Sequence, residues 1–213
     1  VRNRKFAEAV NVVDQALADP AGRRPRFYGV LASLYRQQGR NDDGRRLFEK
    51  ALQMYPEDIM LHYEYALFLD RTGNADDAFV AMQKVLVMDP HNPYALNYIG
   101  YTWADRGEKL DEARVFIEKA ASLRPDDGFI RDSLGWVYFK LGQYEKALAE
   151  LTRALELASD PVIFEHLGDV YAKTGQMAEA LKAYQQAVSH FAEDEGRQRV
   201  EAKIKALGSE SQK

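Results

Sequence analysis

The sequence predicts an all-α fold, a right-handed superhelix (α-solenoid) of about five helix-turn-helix repeats followed by a C-terminal capping helix. Glycine recurs in a helical pattern at spacings of 33 to 35 residues, and a period of that length is typical of helical repeats. These glycines are Gly39, Gly73, Gly107, Gly142 and Gly175. Prolines recur with a similar period, at Pro56, Pro90 and Pro125. Because proline cannot continue a helix, each of them marks a break.

Aligning the glycines places the five repeats at residues 25–58, 59–92, 93–127, 128–160 and 161–194. Each repeat is expected to hold two amphipathic helices with a tight turn between them, because glycine ends a helix in the left-handed conformation without steric cost. Asn92-Pro93 and Asp160-Pro161 are typical helix starts, with a capping side chain before a proline in the first turn.

The flanking segments are expected to extend the array. Residues 1–24 are predicted to hold the second helix of a truncated repeat and a linker, residues 195–208 a capping helix, and residues 209–213 a disordered tail. The chain begins without methionine and shows no apolar signal-peptide segment. We therefore expect a piece of a longer protein, whose missing N-terminal region would carry any targeting signal or lipid anchor.

Composition excludes several kinds of site. The 213 residues include no cysteine, which excludes disulfides, thiolate metal sites and a cysteine nucleophile. His62, His91, His166 and His190 are scattered without the spacing of a metal site. No phosphate-binding glycine loop or nucleophile motif occurs. We therefore predict a protein that is not an enzyme, with no catalytic residue, no metal and no cofactor.

Charge is distributed unevenly along the chain. The net charge is −4, yet residues 1–50 carry 11 Lys/Arg against 6 Asp/Glu, and the remainder carries 18 against 27. Arginines cluster between Arg23 and Arg46. This cluster is either a patch for an acidic partner or a solvated helix surface. The acidic remainder argues against a nucleic-acid partner.

The repeat pattern resembles that of the tetratricopeptide repeat (TPR) family. The residues that carry the resemblance most fully are Leu134, Gly135, Tyr138, Gly142, Tyr144, Ala147, Leu151 and Ala154, and the set recurs from Leu167 to Ala187 and from Ile99 to Pro125. The first two repeats match less fully. The resemblance covers nearly the whole chain and implies a scaffold that binds a protein or peptide in its concave groove.

A finer resemblance involves the segments Asn97–Gly107, Asp132–Trp136 and Glu165–Asp169. They are similar to those of proteobacterial TPR proteins, several of which are lipoproteins of the cell envelope, and some of which resemble adaptors for envelope proteolysis. The resemblance implies the bacterial periplasm or a membrane-anchored location in the envelope rather than the cytoplasm, although this segment itself is not expected to contact a membrane.

In the TPR family, positions 2, 5, 9 and 12 of each first helix point into the groove. For the first two repeats these positions give Arg26, Gly29, Ser33, Arg36, Met60, Tyr63, Leu67 and Asp70. From these positions along the array we predict a partner-binding site made of Tyr63, Tyr94, Asn97, Tyr101, Phe129, Asp132, Trp136, Phe139 and Glu165. Aromatic anchors with a polar rim are typical of interaction hot spots.

Two alternatives stay open at this stage. Some of the rings, Tyr101 and Trp136 among them, either contact a partner or pack as core between adjacent first helices. The second alternative concerns function, because helical repeats also bind RNA when basic and base-reading side chains recur in every repeat. Only the first repeat is basic, so a protein or peptide ligand is the favoured partner.

Overall fold

A computed structural model describes residues 2–18 and 24–210, which form twelve α-helices and contain no strand. The helices are α1 (Arg2–Ala18), α2 (Pro25–Gln37), α3 (Asn41–Met54), α4 (Ile59–Arg71), α5 (Ala75–Met88), α6 (Pro93–Arg106), α7 (Leu110–Leu123), α8 (Gly128–Lys140), α9 (Tyr144–Leu157), α10 (Pro161–Lys173), α11 (Met177–His190) and α12 (Asp194–Glu210). Each of the five ranges predicted as repeats contains two consecutive helices.

The terminal segments differ slightly from the predicted ones. Helix α1 lies within the range predicted for a truncated repeat, and the predicted linker at 19–23 lies outside the described residues. Helix α12 continues to Glu210, so Ser209 and Glu210 are helical rather than part of the predicted tail. The rest of that tail, 211–213, lies outside the described residues.

Aspartate and asparagine side chains cap the N-termini of α4, α6 and α10. Asp58 accepts a hydrogen bond from the Leu61 backbone N–H at 2.9 Å, and Asp160 accepts one from Val162 at 2.8 Å. Such caps satisfy amides that have no partner inside the helix. The predicted start at Asn92 is confirmed in the same way, because its side-chain oxygen accepts the Ala95 N–H at 3.1 Å.

The turn inside each repeat depends on glycine. All five turn glycines have φ between 70° and 80°, which L side chains rarely adopt. The turn after Gly107 is one residue longer than the others, and there Lys109 also takes a left-handed conformation, with φ 45° and ψ 44°. The extra residue is therefore accommodated just before α7 begins.

The two helices of a repeat pack closely because small residues lie where they meet. A Cβ on Gly135 would lie only 2.6 Å from Leu151 Cγ. A larger residue at this position would therefore force α8 and α9 apart. Ala113, Ala147 and Ala180 are fully buried on the second helices. Glycine and alanine at these positions therefore allow the two helices of a repeat to approach closely.

The chain divides into two compact parts, residues 1–95 and 96–213, which we call the N-terminal part and the C-terminal part. A cluster that includes Tyr28, Phe48 and Phe68 forms the core of the N-terminal part. In the C-terminal part, one cluster joins α9 and α10, and another packs α12 against α11 through Val200 and Leu207. The residues of the predicted site lie on first helices in both parts.

Candidate interaction surfaces

A groove between α2 and α4 in the N-terminal part holds most of the predicted inward positions of the first two repeats. Its volume is about 390 Å³. It is lined by Gly29, Val30, Ser33, Arg36, Phe48, Met60, Tyr63, Glu64, Leu67, Phe68 and Arg71. A second hollow of about 270 Å³, lined by Arg24, Pro25, Arg26, Asp58, Met60, Leu61 and Glu64, shares Met60 and Glu64 with the first. We call the two hollows together the α2–α4 groove.

Small residues line the α2 side of the groove. Gly29 makes room for the Glu64 side chain of α4, which a Cβ at position 29 would meet, and Ser33 lines the open part of the groove. The groove also has an apolar surface, since Met60 is 61% exposed and Val30 is 49% exposed. Exposed apolar side chains that line one concave surface are typical of a binding site.

The charged groups of the groove are arginines at its two ends, Asp58 at one of these ends, and Glu64 between them. Arg24 and Arg26 lie at one end, and Arg36 and Arg71 lie at the other. None of these four arginines has an ion pair within the part of the chain that the structure describes.

Two carboxyl groups, those of Asp58 and Glu64, lie among the arginines of the groove. Burial, and then the nearby charge of Asp58, raise the pKa of Glu64 above its usual value. Asp58 is engaged as the cap of α4, at 2.9 Å from the Leu61 amide nitrogen. The lining contains four arginines and two carboxyl groups, so positive charge is in excess in the groove.

Two of the predicted site residues meet in the N-terminal part. The rings of Tyr63 and Tyr94 have their centroids 5.8 Å apart and their planes tilted by 41°, a geometry that aromatic pairs favour. Both residues are half-buried. The Tyr63 ring thus both lines the groove and packs against the next first helix.

In the C-terminal part the same side of the first helices is filled rather than open. Asp132 on α8 and His166 on α10 are both buried, and the His166 Nδ1 lies 2.8 Å from the Asp132 Oδ1. The Trp136 ring stacks on the His166 ring, with centroids 4.1 Å apart and planes within 17°. The Trp136 Nε1–H donates to Asp105 Oδ1 at 3.3 Å, and Trp136 is only 8% exposed. The polar groups of Asp132, His166 and Trp136 therefore have hydrogen-bond partners within the chain.

The neighbouring aromatic residues extend this filled surface. Phe139 stacks on Trp136 with centroids 5.0 Å apart, and Tyr101 lies 6.4 Å from the His166 ring. Burial raises the pKa of the Tyr101 hydroxyl. Phe129, at the second position of α8, is 58% exposed and is the one large apolar residue of the predicted set that is mostly open to solvent in the described part of α8 and α10.

The last predicted site residue, Glu165, is paired with the capping helix. Glu165 is 4% exposed and accepts hydrogen bonds from Arg199 at 2.6 and 2.9 Å. Lys203 lies 2.8 Å from Glu165 and 2.7 Å from Asp169. Burial alone would raise the pKa of Glu165, but the hydrogen bonds and charges of Arg199 and Lys203 outweigh it and lower that pKa. The carboxylate is thus neutralised within the chain.

Asn97, predicted as a polar contact, is half-buried on α6, and its side-chain oxygen has no hydrogen-bond partner within the described residues. The structure therefore brings Asp132, Trp136 and Phe139 together with Tyr101 in the C-terminal part, and Tyr63 with Tyr94 in the N-terminal part. It does not leave Asp132 or Glu165 with a free carboxylate.

Sequence reasoning missed the partners of these carboxylates. Arg199 and Lys203 lie 34 residues after Glu165 and Asp169, which is the repeat period, so they occupy the positions of a further first helix. That spacing could have identified them. His166 was treated as one of four scattered histidines, although it also lies one repeat after Asp132, at a spacing of 34.

Within the described residues no group of three or more His, Asp or Glu side chains is arranged to hold a metal ion. Among the described helices, none combines the length and the apolar character needed to cross a membrane.

Comparison with protein families matches nearly the whole chain to repeat models. Residues 105–209 match a model described as a tetratricopeptide repeat-like domain, and residues 1–58 and 30–93 match a tetratricopeptide repeat model. A TPR repeat-containing protein of Pseudomonas aeruginosa is 30% identical over 159 residues, which is 75% of this chain. The chain spans only 27% of the length of that relative.

Solved structures share the fold. The APC/C hetero-tetramer Cut9-Hcn1 covers 96% of this chain with a TM-score of 0.81 at 17% identity, and 40% of that chain is matched. A tetratricopeptide repeat protein from Parabacteroides merdae covers 99% of this chain with a TM-score of 0.76 at 17% identity, with 83% of that chain matched. At this identity the likeness concerns the fold alone, and it confirms the predicted all-α helical-repeat architecture.

Proposed function

Because the chain belongs to the tetratricopeptide repeat family, we propose that it is a scaffold that binds a protein partner through the inner side of its first helices. Tetratricopeptide repeats generally mediate protein–protein interactions rather than chemistry. The observation that carries the proposal is the α2–α4 groove, where exposed apolar side chains lie beside arginines without ion pairs. In the C-terminal part, the exposed Phe129 provides a second apolar contact on the equivalent side.

The proposal is tested by placing a photo-crosslinking amino acid on the inner side and, as a control, elsewhere. Met60 and Phe129 are the inner positions, at 61% and 58% exposure, and Val87 and Val115 on second helices are the controls, at 80% and 53%. All four are accessible, so the substitution should not disturb the fold. In cells of the source organism we expect discrete crosslinked bands from the inner positions that persist after nuclease treatment.

The outcome separates the candidate functions. Bands that disappear with ribonuclease would favour the RNA-binding alternative. Equal crosslinking from inner and control positions, or none from any of them, would contradict a protein-binding site on the inner side.

A finer proposal concerns location and role. We infer an adaptor in the bacterial cell envelope, possessing a lipid anchor or a periplasmic location, that takes part in envelope proteolysis or assembly. The support is the resemblance of α6, α8 and α10 to envelope repeat proteins and the bacterial relative. Fractionation of cells that express the whole tagged gene product tests it. Recovery in the cytosolic fraction together with a cytosolic marker would contradict the envelope location.

A further inference from the structure

The α2–α4 groove has a charge pattern that selects among peptide partners. Its ends carry Arg24 and Arg26 on one side and Arg36 and Arg71 on the other. Met60 and Glu64 line both hollows, so the middle combines apolar side chains with one carboxyl group. A partner that fills it must place apolar side chains in the middle and negative groups at the ends.

The length of the groove sets the size of this partner. Arg24 and Arg36 are twelve residues apart, which corresponds to about 18 Å along α2 at 1.5 Å per residue. An extended peptide spans this distance with about five or six residues, at roughly 3.3 Å each. A helical partner would need about twelve residues to cover the same length.

The shape of the groove favours the extended form. The two hollows hold about 390 and 270 Å³, whereas a helix with its side chains is about 10 Å across and exceeds this volume over the length of the groove. The hollows therefore have room for individual side chains, which can enter beside Ser33 and Met60.

Arginine side chains that could pair with the carboxylates of an acidic peptide line both ends of the groove. Arginine pairs carboxylates through two parallel hydrogen bonds and is well suited to partly buried contacts. Each of the arginines at the ends of the groove lacks an ion pair within the described residues. By contrast, Arg40 and Arg46 nearby both bind Asp43, at 2.6 Å.

We propose that the α2–α4 groove binds an extended segment of a partner protein in which one or two apolar residues are flanked on both sides by aspartate or glutamate. This proposal rests on the protein-binding function proposed above and names the chemistry of the partner. The apolar residues contact Met60, Leu67 and Tyr63, and the flanking carboxylates pair with the arginines at the two ends.

The test uses the whole 213-residue chain and a blocked peptide, Gly-Ser-Glu-Glu-Leu-Phe-Glu-Glu-Gly-Ser, with acetylated and amidated ends. Backbone amide NMR shifts show where it binds. We expect saturable shifts at Gly29, Ser33, Met60 and Leu67 and none on α8 or α10. Replacing the four glutamates by glutamine, or Leu-Phe by Gly-Gly, should weaken binding about tenfold or more.

Protein variants test the arginines with a matched control. Arg36→Gln with Arg71→Gln should weaken binding of the peptide about tenfold, since two charge-assisted contacts are lost. Arg40→Gln with Arg46→Gln makes the same change of charge on arginines that are already paired with Asp43, and it should change affinity less than about twofold. Because the glutamine peptide is tested on the unmodified protein, the result does not depend on the variants folding.

The proposal is overturned if the acidic peptide produces no saturable shifts, if the shifts lie on α8 and α10, or if the glutamine peptide binds as tightly. Its failure is distinguishable from failure of the protein-binding function. If crosslinks from Phe129 or Met60 persist while the peptide does not bind, the scaffold function stands and only the acidic–apolar preference is wrong.

Discussion

The first and fourth repeats use equivalent positions for opposite purposes. Gly29 and Ser33 lie at the fifth and ninth positions of α2, where α8 carries Asp132 and Trp136. In the fourth repeat these side chains bond to His166 and stack on it, so the space between adjacent first helices is filled. In the first repeat the Glu64 carboxyl group lies against Gly29, and the space beside Ser33 is open. One repeat geometry therefore gives either a filled contact or an open groove, depending on the side chains at these positions.

The charges follow the same division. In the C-terminal part, buried carboxylates bind cations of the same chain, as Glu165 does with Arg199 and Lys203. In the N-terminal part, the arginines of the groove have no such partners within the described residues. The charges of the C-terminal part are thus used for contacts within the chain, whereas we propose that those of the α2–α4 groove are used for a partner, and four predictions test this division.

The largest expected effect is that of Trp136→Ala. Trp136 is 8% exposed and stacks on two rings, so its loss should lower the free energy of unfolding by about 3 to 5 kcal/mol. Phe129→Ala is the control, because Phe129 is 58% exposed and its loss should cost less than about 1 kcal/mol. Urea unfolding measures both. Equal small losses would mean that the fourth repeat is not held by this contact and that Trp136 is available to a partner.

The second effect is that of removing both cations from Glu165. Arg199→Met with Lys203→Met leaves a nearly buried carboxylate without its ion pairs, and we expect a loss of about 2 to 4 kcal/mol near neutral pH. The pKa of Glu165 is lowered in the folded protein, so the stabilisation is present above the unfolded pKa and disappears as the pH falls through the folded pKa.

The difference between this variant and the unmodified protein should therefore shrink toward about pH 3. Urea unfolding over a pH series measures it. A difference that stays constant with pH would show that lost packing of the long side chains, rather than charge pairing, causes the effect.

The third prediction transfers the filled arrangement to the open repeat. Gly29→Asp, Ser33→Trp and Glu64→His together reproduce in α2 and α4 the side chains of Asp132, Trp136 and His166. We expect this triple variant to lose binding of the acidic peptide by about tenfold or more, because the indole occupies the volume that the peptide needs, while the protein stays folded. NMR titration measures the affinity and thermal melting the stability. Unchanged peptide affinity in the folded variant would contradict the comparison.

Much of the architecture was predictable because it depends on local rules. A glycine with positive φ at each turn and a capping side chain before α4, α6, α8 and α10 produce the repeat regardless of what the chain binds. The small residues at helix contacts, such as Gly135, are equally local, because a Cβ there would meet Leu151 at 2.6 Å. The fold therefore follows from short-range patterns that recur.

The inner surfaces were harder to predict because they depend on contacts between side chains that lie one repeat apart in the sequence. Position alone does not show whether Asp132 faces solvent or His166, or whether Glu165 meets a partner or α12. The predicted site also consists mainly of aromatic residues, whereas the open groove is lined by a small residue, Ser33, and by aliphatic side chains such as Met60. A small side chain is not selected when a sequence is searched for large side chains that could contact a partner.

The smallest expected effect compares two glutamates on the inner side. The pKa of Glu64 is raised by burial and by Asp58, so the folded state holds its proton more tightly than the unfolded chain does. Glu64 therefore subtracts stability as the pH rises from 4.5 through its folded pKa. Glu64→Gln should stabilise the protein near neutral pH by less than about 1 kcal/mol, since the side chain is only half-buried, and the gain should shrink below the unfolded pKa.

Glu165→Gln is the matched control and should have the opposite sign. The lowered pKa of Glu165 means that its charge stabilises the folded state near neutral pH, so the same substitution should destabilise it there. Urea unfolding of both variants across the same pH series measures the two signs. If both substitutions destabilise at neutral pH, Glu64 makes a favourable charge contact in the folded protein, and the α2–α4 groove would have less free positive charge for an acidic partner than its arginines indicate.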